Sequence, residues 1–190
     1  FPTRRSSDLD ALLSILKGIT HAKSEPYSHY RNDHHNIPPW IIVKKLNFGN
    51  LIWWYRLLKT PQKRSVTSRM TGLDEALLQQ INAFEQGYVN LLSLYLDYRN
   101  TSAHGGRIYN HFSKKHAIPY NPIIHGLLKI SPADYRNGKG QSRLGTLINT
   151  LEFSQDRTAY NELSGGISFY IKRYLELYPD RKSTRLNSSH

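Results

Sequence analysis

The chain has 190 residues, 38% of them hydrophobic and 12% aromatic, which is enough for one domain with a core. It contains no Cys, which excludes disulfides, thiolate metal sites and cysteine nucleophiles. The formal net charge of +12 favours a polyanionic partner such as nucleic acid. Because no bilayer-spanning apolar run and no signal peptide are apparent, we expect no membrane partner and a cytoplasmic location.

The two ends of the chain resemble translated sequencing adapters. The segments are FPTRRSSDL at residues 1–9 and DRKSTRLNSSH at residues 180–190. A basic disordered tail at each end is the alternative. We expect adapter-derived tails at these positions and one natural helical domain at residues 10–179, truncated at both ends. The tails contribute a net charge of +3, which leaves +9 for the domain.

The first third of the domain is predicted to contain short helices between polar segments. Apolar spacing predicts a helix over residues 10–19, and the His-rich segment 20–36 is predicted to be a loop. Pro39 is well placed to begin a helix. The apolar residues 40–59 are predicted to form two helices, or one kinked helix, divided at Gly49.

The remainder is predicted to be organised by one long helix. Residues 60–72 are predicted to be a basic connector, and the longest helical periodicity follows from Leu73 to a stop at Gly105-Gly106. Its apolar stripe consists of Phe84, Tyr88, Leu91, Leu94, Tyr95 and Tyr98. Shorter helices are predicted at residues 122–131, 144–153 and 167–178, with a loop at 134–142. The predicted fold class is all-α.

A polar motif, YRNTSAHGGRIYN, occupies the end of the long helix at residues 98–110. At about 100° per residue, Asn100, His104 and Arg107 fall opposite the apolar stripe. Arg99 lies at the border between the two faces. We therefore expect Asn100 and His104 to be exposed or to line a cleft while the stripe is buried.

An imidazole beside a guanidinium suits RNA cleavage without a metal or cofactor. Attack of a ribose 2′-hydroxyl on the adjacent phosphate needs a base and an acid, and imidazole can be either at neutral pH. A guanidinium can bind the phosphate oxygens as negative charge grows on them. Because the motif provides one His per chain, a homodimer that joins two motifs would supply both groups.

The same residues resemble a known family. RNTSAHGGRIYN resembles the Arg-Asn-x-x-Ala-His motif of the Abi family of abortive-infection proteins (AbiD/AbiF-like), part of the HEPN superfamily with its Arg-x(4–6)-His nuclease signature. An upstream block, Pro38-x-Trp40 followed by Asn47-Phe48-Gly49, is similar to the family's Pro-x-Trp…(Ser/Thr/Asn)-Phe-Gly segment.

The resemblance implies an all-α, HEPN-like helical bundle, truncated here at the N-terminus, whose dimer cleaves RNA in defence against phage. It implies that Arg99 and His104 are the catalytic pair and that Asn100 is the accompanying polar residue. The chain departs from the family at Gly105, where many members carry a second His. The alternative is a non-catalytic HEPN module that binds RNA or a protein partner; a purely structural dimerisation domain is a weaker one.

The sequence also predicts roles for cationic, aromatic and histidine side chains, each with an alternative where one exists. The cations predicted to bind RNA are Arg107, Lys63, Arg64 and Arg69, although a basic run is most often a solvated face. His104 could instead stabilise the helix dipole at a C-terminus. The aromatic side chains predicted to pack in the core are Trp40, Phe48, Trp53 and Trp54. No metal is predicted, because His29, His34 and His35 have only loose ligand spacing.

Overall fold

The computed structural model describes residues 4–179, with side chains described from Ser7 onward. This part of the chain contains eleven helices and no strand, which confirms the all-α class. The helices are α1 (Arg4–Thr20), α2 (Tyr27–Asp33), α3 (Pro39–Val43), α4 (Phe48–Leu57), α5 (Thr60–Thr71), α6 (Glu75–Gln80), α7 (Asn82–Ala103), α8 (Pro122–Leu127), α9 (Pro132–Arg136), α10 (Leu144–Leu151) and α11 (Thr158–Leu177). The segment 180–190, expected to be adapter-derived, lies outside the described residues.

Helix α1 begins earlier than predicted, inside the first nine residues. Leu9 is 43% exposed, whereas Leu12 is 1% exposed, so the buried face of the helix begins at Leu12. The adapter origin of residues 1–9 stays a prediction.

Helix α2 lies in the His-rich segment that was predicted to be a loop. It has no side-chain cap at its N-terminus, but the ring of Tyr27 is buried in a small N-terminal core. That core also contains Ile19, Ile41 and Leu46, with Trp54 packed at its edge. Burial of one aromatic ring in a tertiary cluster explains why this polar segment is helical.

The apolar segment 40–59 forms two helices, α3 and α4, but the break between them lies before Gly49. The side chain of Asn47 accepts a hydrogen bond from the backbone N–H of Asn50 at 2.8 Å and so caps α4. Gly49 lies inside the first turn of α4, and the predicted boundary at this residue is wrong.

The predicted burial of Trp40 is wrong. Its side chain is 66% exposed, because the short helix α3 buries only the neighbouring Ile41. Phe48, Trp53 and Trp54 are half-buried, so these three contribute to the core in part.

The segment predicted to be a basic connector is the 12-residue helix α5. Thr67 is fully buried, and its hydroxyl lies 2.6 Å from the hydroxyl of Tyr55 on α4. The helix ends at Gly72, whose φ of +72° is a left-handed conformation that glycine adopts without strain. Buried polar contacts, of which this is one, therefore stabilise a helix that has little apolar periodicity.

Helix α7 is the centre of the bundle and packs against α4, α5, α6, α8 and α10. Its predicted stripe is confirmed: Phe84, Leu91 and Leu94 are each at most 1% exposed, and Tyr95 alone of the stripe is half-buried. The predicted periodic stretch is divided at Ile81 into α6 and α7. A Cβ at Gly87 would collide with Ile124, so this glycine lets α8 approach closely.

The C-terminal third adds four helices, of which α8 and α10 pack directly on α7. Helix α8 is capped by the side chain of Asn121. Helix α9, which is capped by Ser131, extends into the first residues of the segment 134–142 that is predicted to be a loop. Helix α11 begins earlier than predicted, packs on α10 and buries none of its residues. Within residues 4–179, no helix is both long and apolar enough to cross a membrane.

Candidate functional site

The C-terminus of α7 is closed by two glycines directly after His104. The N–H of Gly105 donates to the carbonyl of Ser102 at 3.1 Å, and the N–H of Gly106 donates to the carbonyl of Thr101 at 2.7 Å. This is a Schellman motif, and Gly105 has the φ of +70° that it requires. His104 is therefore the C-cap residue of the helix and lies at the surface.

The polar side chains of the motif lie together at this end of the helix. Nη1 of Arg99 donates to Oδ1 of Asn100 at 3.0 Å. Arg99 and His104 are exposed and Asn100 is half-buried, whereas the adjacent Tyr98 is only 3% exposed. As predicted, the apolar stripe is buried while Asn100 and His104 remain accessible.

The sequence predicts that Arg107 shares the helical face of Asn100 and His104, and this prediction is wrong. The left-handed Gly105 ends the helix before this position, so Arg107 lies exposed in the connector that follows α7.

The three cations of α5 lie far from His104. Nε of Arg64 donates to Oε1 of Glu85 near the start of α7 at 2.8 Å. Glu85 precedes His104 by nineteen positions, roughly 28 Å along a helix axis. Arg64 is only 17% exposed, Lys63 is half-buried and Arg69 is exposed. Within one chain, the structure does not bring these predicted RNA-binding residues to the motif.

A second histidine, His111, which the sequence motif does not single out, lies beside the same helix. Nε2 of His111 is 2.6 Å from Oδ2 of Asp97, and the two side chains are 22% and 25% exposed. In the sequence, the only indication of this pair is Asp97, which lies seven residues before His104 and on the same helical face. The partner of Asp97 comes from the connector, whose path no periodicity predicts.

Tyr98 fixes the connector at this point. Its hydroxyl shares its one proton between the carbonyls of Ser142 at 2.9 Å and His111 at 3.2 Å. Its ring lies edge-on to the imidazole with centroids 4.9 Å apart. Burial, followed by the nearby charge of Asp97, raises the pKa of Tyr98 to about 12, although Arg143 opposes the shift. The hydroxyl is therefore a neutral hydrogen-bond donor at pH 7 and not a proton-transfer group.

Arg143, at the N-terminus of α10, is a further cation near the motif that no sequence pattern indicates. Its Nη1 donates to Oδ1 of Asn110 at 3.3 Å, and its guanidinium carbon lies 5.6 Å from the ring centroid of Phe112. The exposed guanidinium thus contacts the residues on both sides of His111.

The described residues contain no group of three or more His, Cys, Asp or Glu side chains arranged to hold a metal ion. Of the histidines considered in the sequence for this role, His29 instead pairs with Asp33, with Nδ1 and Oδ2 2.7 Å apart.

Comparison with known proteins identifies a family for the region that contains the motif. No curated protein and no solved structure matches the chain significantly. The sequence model of the family described as Abi-like protein matches residues 3–110, which extends from α1 through the Arg99 and His104 motif. Because the match covers more than half of the 190 residues, the chain belongs to the Abi-like protein family.

Proposed function

We propose that the protein is a cytoplasmic, metal-independent endoribonuclease that acts in abortive-infection defence against phage. Membership of the Abi-like family supports the role in phage defence. The observation that supports the chemistry is the exposed imidazole of His104 at the end of α7, beside the hydrogen-bonded pair of Arg99 and Asn100.

The proposed reaction is an internal transfer at one phosphate of RNA. A bond forms between the ribose 2′-oxygen and phosphorus, and the bond between phosphorus and the 5′-oxygen breaks. The proton of the 2′-hydroxyl goes to a base, and an acid supplies a proton to the 5′-oxygen. The products are a 2′,3′-cyclic phosphate and a 5′-hydroxyl, and His104 is one of the two proton-transfer groups.

Arg99 would bind the non-bridging phosphate oxygens, which gain negative charge in the transition state. The hydrogen bond from its Nη1 to Asn100 occupies one N–H and leaves the others for the phosphate. Asn100 is thus proposed to orient the guanidinium rather than to transfer a proton.

A homodimer is proposed to align two such motifs along one RNA, and the net charge of +9 in residues 10–179 supports a polyanionic substrate. Arg107, Lys63 and Arg69 are proposed to contact phosphates outside the cleavage site. Arg64 is proposed to contribute less, because Glu85 already neutralises its charge.

The test is cleavage of single-stranded RNA by the full chain in the presence of EDTA, with His104→Ala as the comparison. Cleavage that depends on His104 and not on a metal supports the proposal. RNA binding by the wild-type chain without any cleavage would instead favour a non-catalytic binding module.

A further inference from the structure

The connector after α7 brings a second imidazole to the helical face of His104. Asp97 and His104 are seven residues apart, close to two turns, so their side chains leave the same face about 10.5 Å apart along the axis. His111 is hydrogen-bonded to Asp97 at one end of this interval, and His104 caps the helix at the other. Each chain therefore has two imidazoles beside one stretch of surface.

We propose that His111 is the general base of the RNA-cleaving site, held by Asp97, and that Arg143 binds the phosphate next to it. This assignment rests on the proposed ribonuclease function and adds three residues to the site.

The pairing with Asp97 suits His111 to the role of a base. A carboxylate only accepts hydrogen bonds, so Nε2 of His111 carries the proton that it donates to Oδ2 at 2.6 Å. Nδ1 then has a free lone pair, and no described residue donates to it. In carboxylate–histidine pairs of this kind, the carboxylate fixes the tautomer and stabilises the imidazolium that forms when the base takes a proton.

Tyr98 already anchors the connector to the bundle, so the imidazole of His111 is not needed for that structural role. Its hydroxyl holds the backbone of the connector at His111 and at Ser142, independently of the histidine side chain. The ring of Tyr98 also packs against the imidazole and limits its rotation. The side chain of His111 is thus positioned in advance but keeps 22% of its surface exposed.

Arg143 supplies a cation at the same place. Its guanidinium is held by Asn110 and by the ring of Phe112, the neighbours of His111 in the chain. Only one N–H is used in the contact with Asn110, so the exposed guanidinium can bind a phosphate oxygen while the adjacent imidazole removes a proton.

In the proposed step, Nδ1 of His111 takes the proton of the 2′-hydroxyl as the 2′-oxygen bonds to phosphorus. As the bond from phosphorus to the 5′-oxygen breaks, protonated His104 gives its proton to that oxygen. His111 ends protonated beside Asp97 and His104 ends neutral, and exchange with water restores both. One chain then supplies base and acid, so the dimer is not needed for proton transfer.

The experiment compares two RNA substrates under single-turnover conditions, one natural and one with sulfur in place of the 5′-oxygen at the cleaved bond. The sulfur leaves as a thiolate and needs no acid. We expect His104→Ala to recover most of its rate on the sulfur substrate. His111→Gln should stay slower than wild type by roughly 10²-fold on both substrates, since the loss of a base is not relieved by a better leaving group.

The controls separate chemistry from folding. The glutamine amide in His111→Gln can still donate to Asp97, so the variant keeps the pairing and its melting temperature should match wild type. His29→Gln makes the same substitution in another His–Asp pair, with Asp33 on α2, and should cleave at the wild-type rate. Arg143→Ala should slow cleavage of both substrates and leave the melting temperature unchanged.

The outcomes distinguish this assignment from the proposed function. Full-rate cleavage by His111→Gln would overturn the role of His111 while leaving the ribonuclease proposal intact. Recovery of His111→Gln on the sulfur substrate would show that it is the acid and would also overturn the assignment. A wild-type chain that cleaves neither substrate would overturn the ribonuclease function and this assignment with it.

Discussion

Arg64 on α5 and Glu85 on α7 form an ion pair across the helix interface, with Nε and Oε1 2.8 Å apart. Their side chains are only 17% and 9% exposed, so each charge is stabilised mainly by the other and little by water. We expect Glu85→Gln to lower the free energy of unfolding by about 3 kcal/mol, because it leaves a largely buried guanidinium without its counter-charge. Urea denaturation measures the change.

The exposed Arg69 on the same helix is the matched control. Arg69→Ala should change the free energy of unfolding by less than about 0.5 kcal/mol. If Glu85→Gln proved as stable as Arg69→Ala, the ion pair would have no part in holding α5 against α7.

The aromatic residues provide a second stability test. Phe84 is 1% exposed in the central core, so Phe84→Ala should cost about 3–5 kcal/mol through the cavity it leaves. Trp40 is 66% exposed, so Trp40→Ala should cost less than about 0.5 kcal/mol. Thermal melting of the two variants checks the contrast, and a large loss in Trp40→Ala would mean that its ring packs against the protein.

The buried tyrosines predict a loss of stability at high pH. Burial raises the pKa of Tyr95 and of Tyr98 to about 12, so both remain neutral in the folded chain at a pH where they ionise once unfolded. Their contribution to stability is complete below the ordinary pKa of 10.0 and is lost as the pH rises to about 12. The midpoint of urea unfolding should therefore fall steadily over this interval.

Tyr98→Phe tests the source of that fall. At pH 8 the variant should be less stable than wild type, because it lacks the hydrogen bonds to Ser142 and His111. Between pH 10 and 12 its stability should fall less steeply, because one titrating group is gone. A decline as steep as that of wild type would assign the alkaline sensitivity to other groups.

Helix α7 and its end could be predicted from the sequence because their determinants are local. Apolar residues repeat at helical spacing from Phe84 to Tyr98, and the two glycines after His104 supply the conformations that a helix terminus requires. The exposure of Asn100 and His104 follows from the same periodicity.

Other elements depend on contacts that are distant in the sequence. Helix α5 has little apolar patterning and is held by the contact between Thr67 and Tyr55 and by the pairing of Arg64 with Glu85. The exposure of Trp40 depends on how the short helix α3 lies on α1, which its hydrophobicity does not encode. The pairing of Asp97 with His111 likewise depends on the path of an irregular connector, so the sequence motif alone did not include it.

Arg99 is expected to act on the transition state more than on binding. Arg99→Ala should reduce the single-turnover rate of RNA cleavage by roughly 10²–10³-fold, because a donor to the developing charge is lost. Its affinity for uncleaved RNA should fall far less, since other cations contact the backbone. Arg173→Ala, an exposed cation on α11, should change neither quantity much. Equal losses in rate and affinity for Arg99→Ala would make it a binding residue only.

His104 is proposed to transfer a proton during metal-free cleavage of RNA. The direct measurement is the single-turnover cleavage rate of a single-stranded RNA in EDTA for wild type and His104→Ala, with DNA of the same sequence as the control. Wild type is expected to cleave the RNA to 2′,3′-cyclic phosphate and 5′-hydroxyl ends and to leave the DNA intact. His104→Ala is expected to cleave the RNA more slowly by roughly 10²–10⁴-fold. Cleavage that stops in EDTA, or that continues at full rate in His104→Ala, would contradict the proposal.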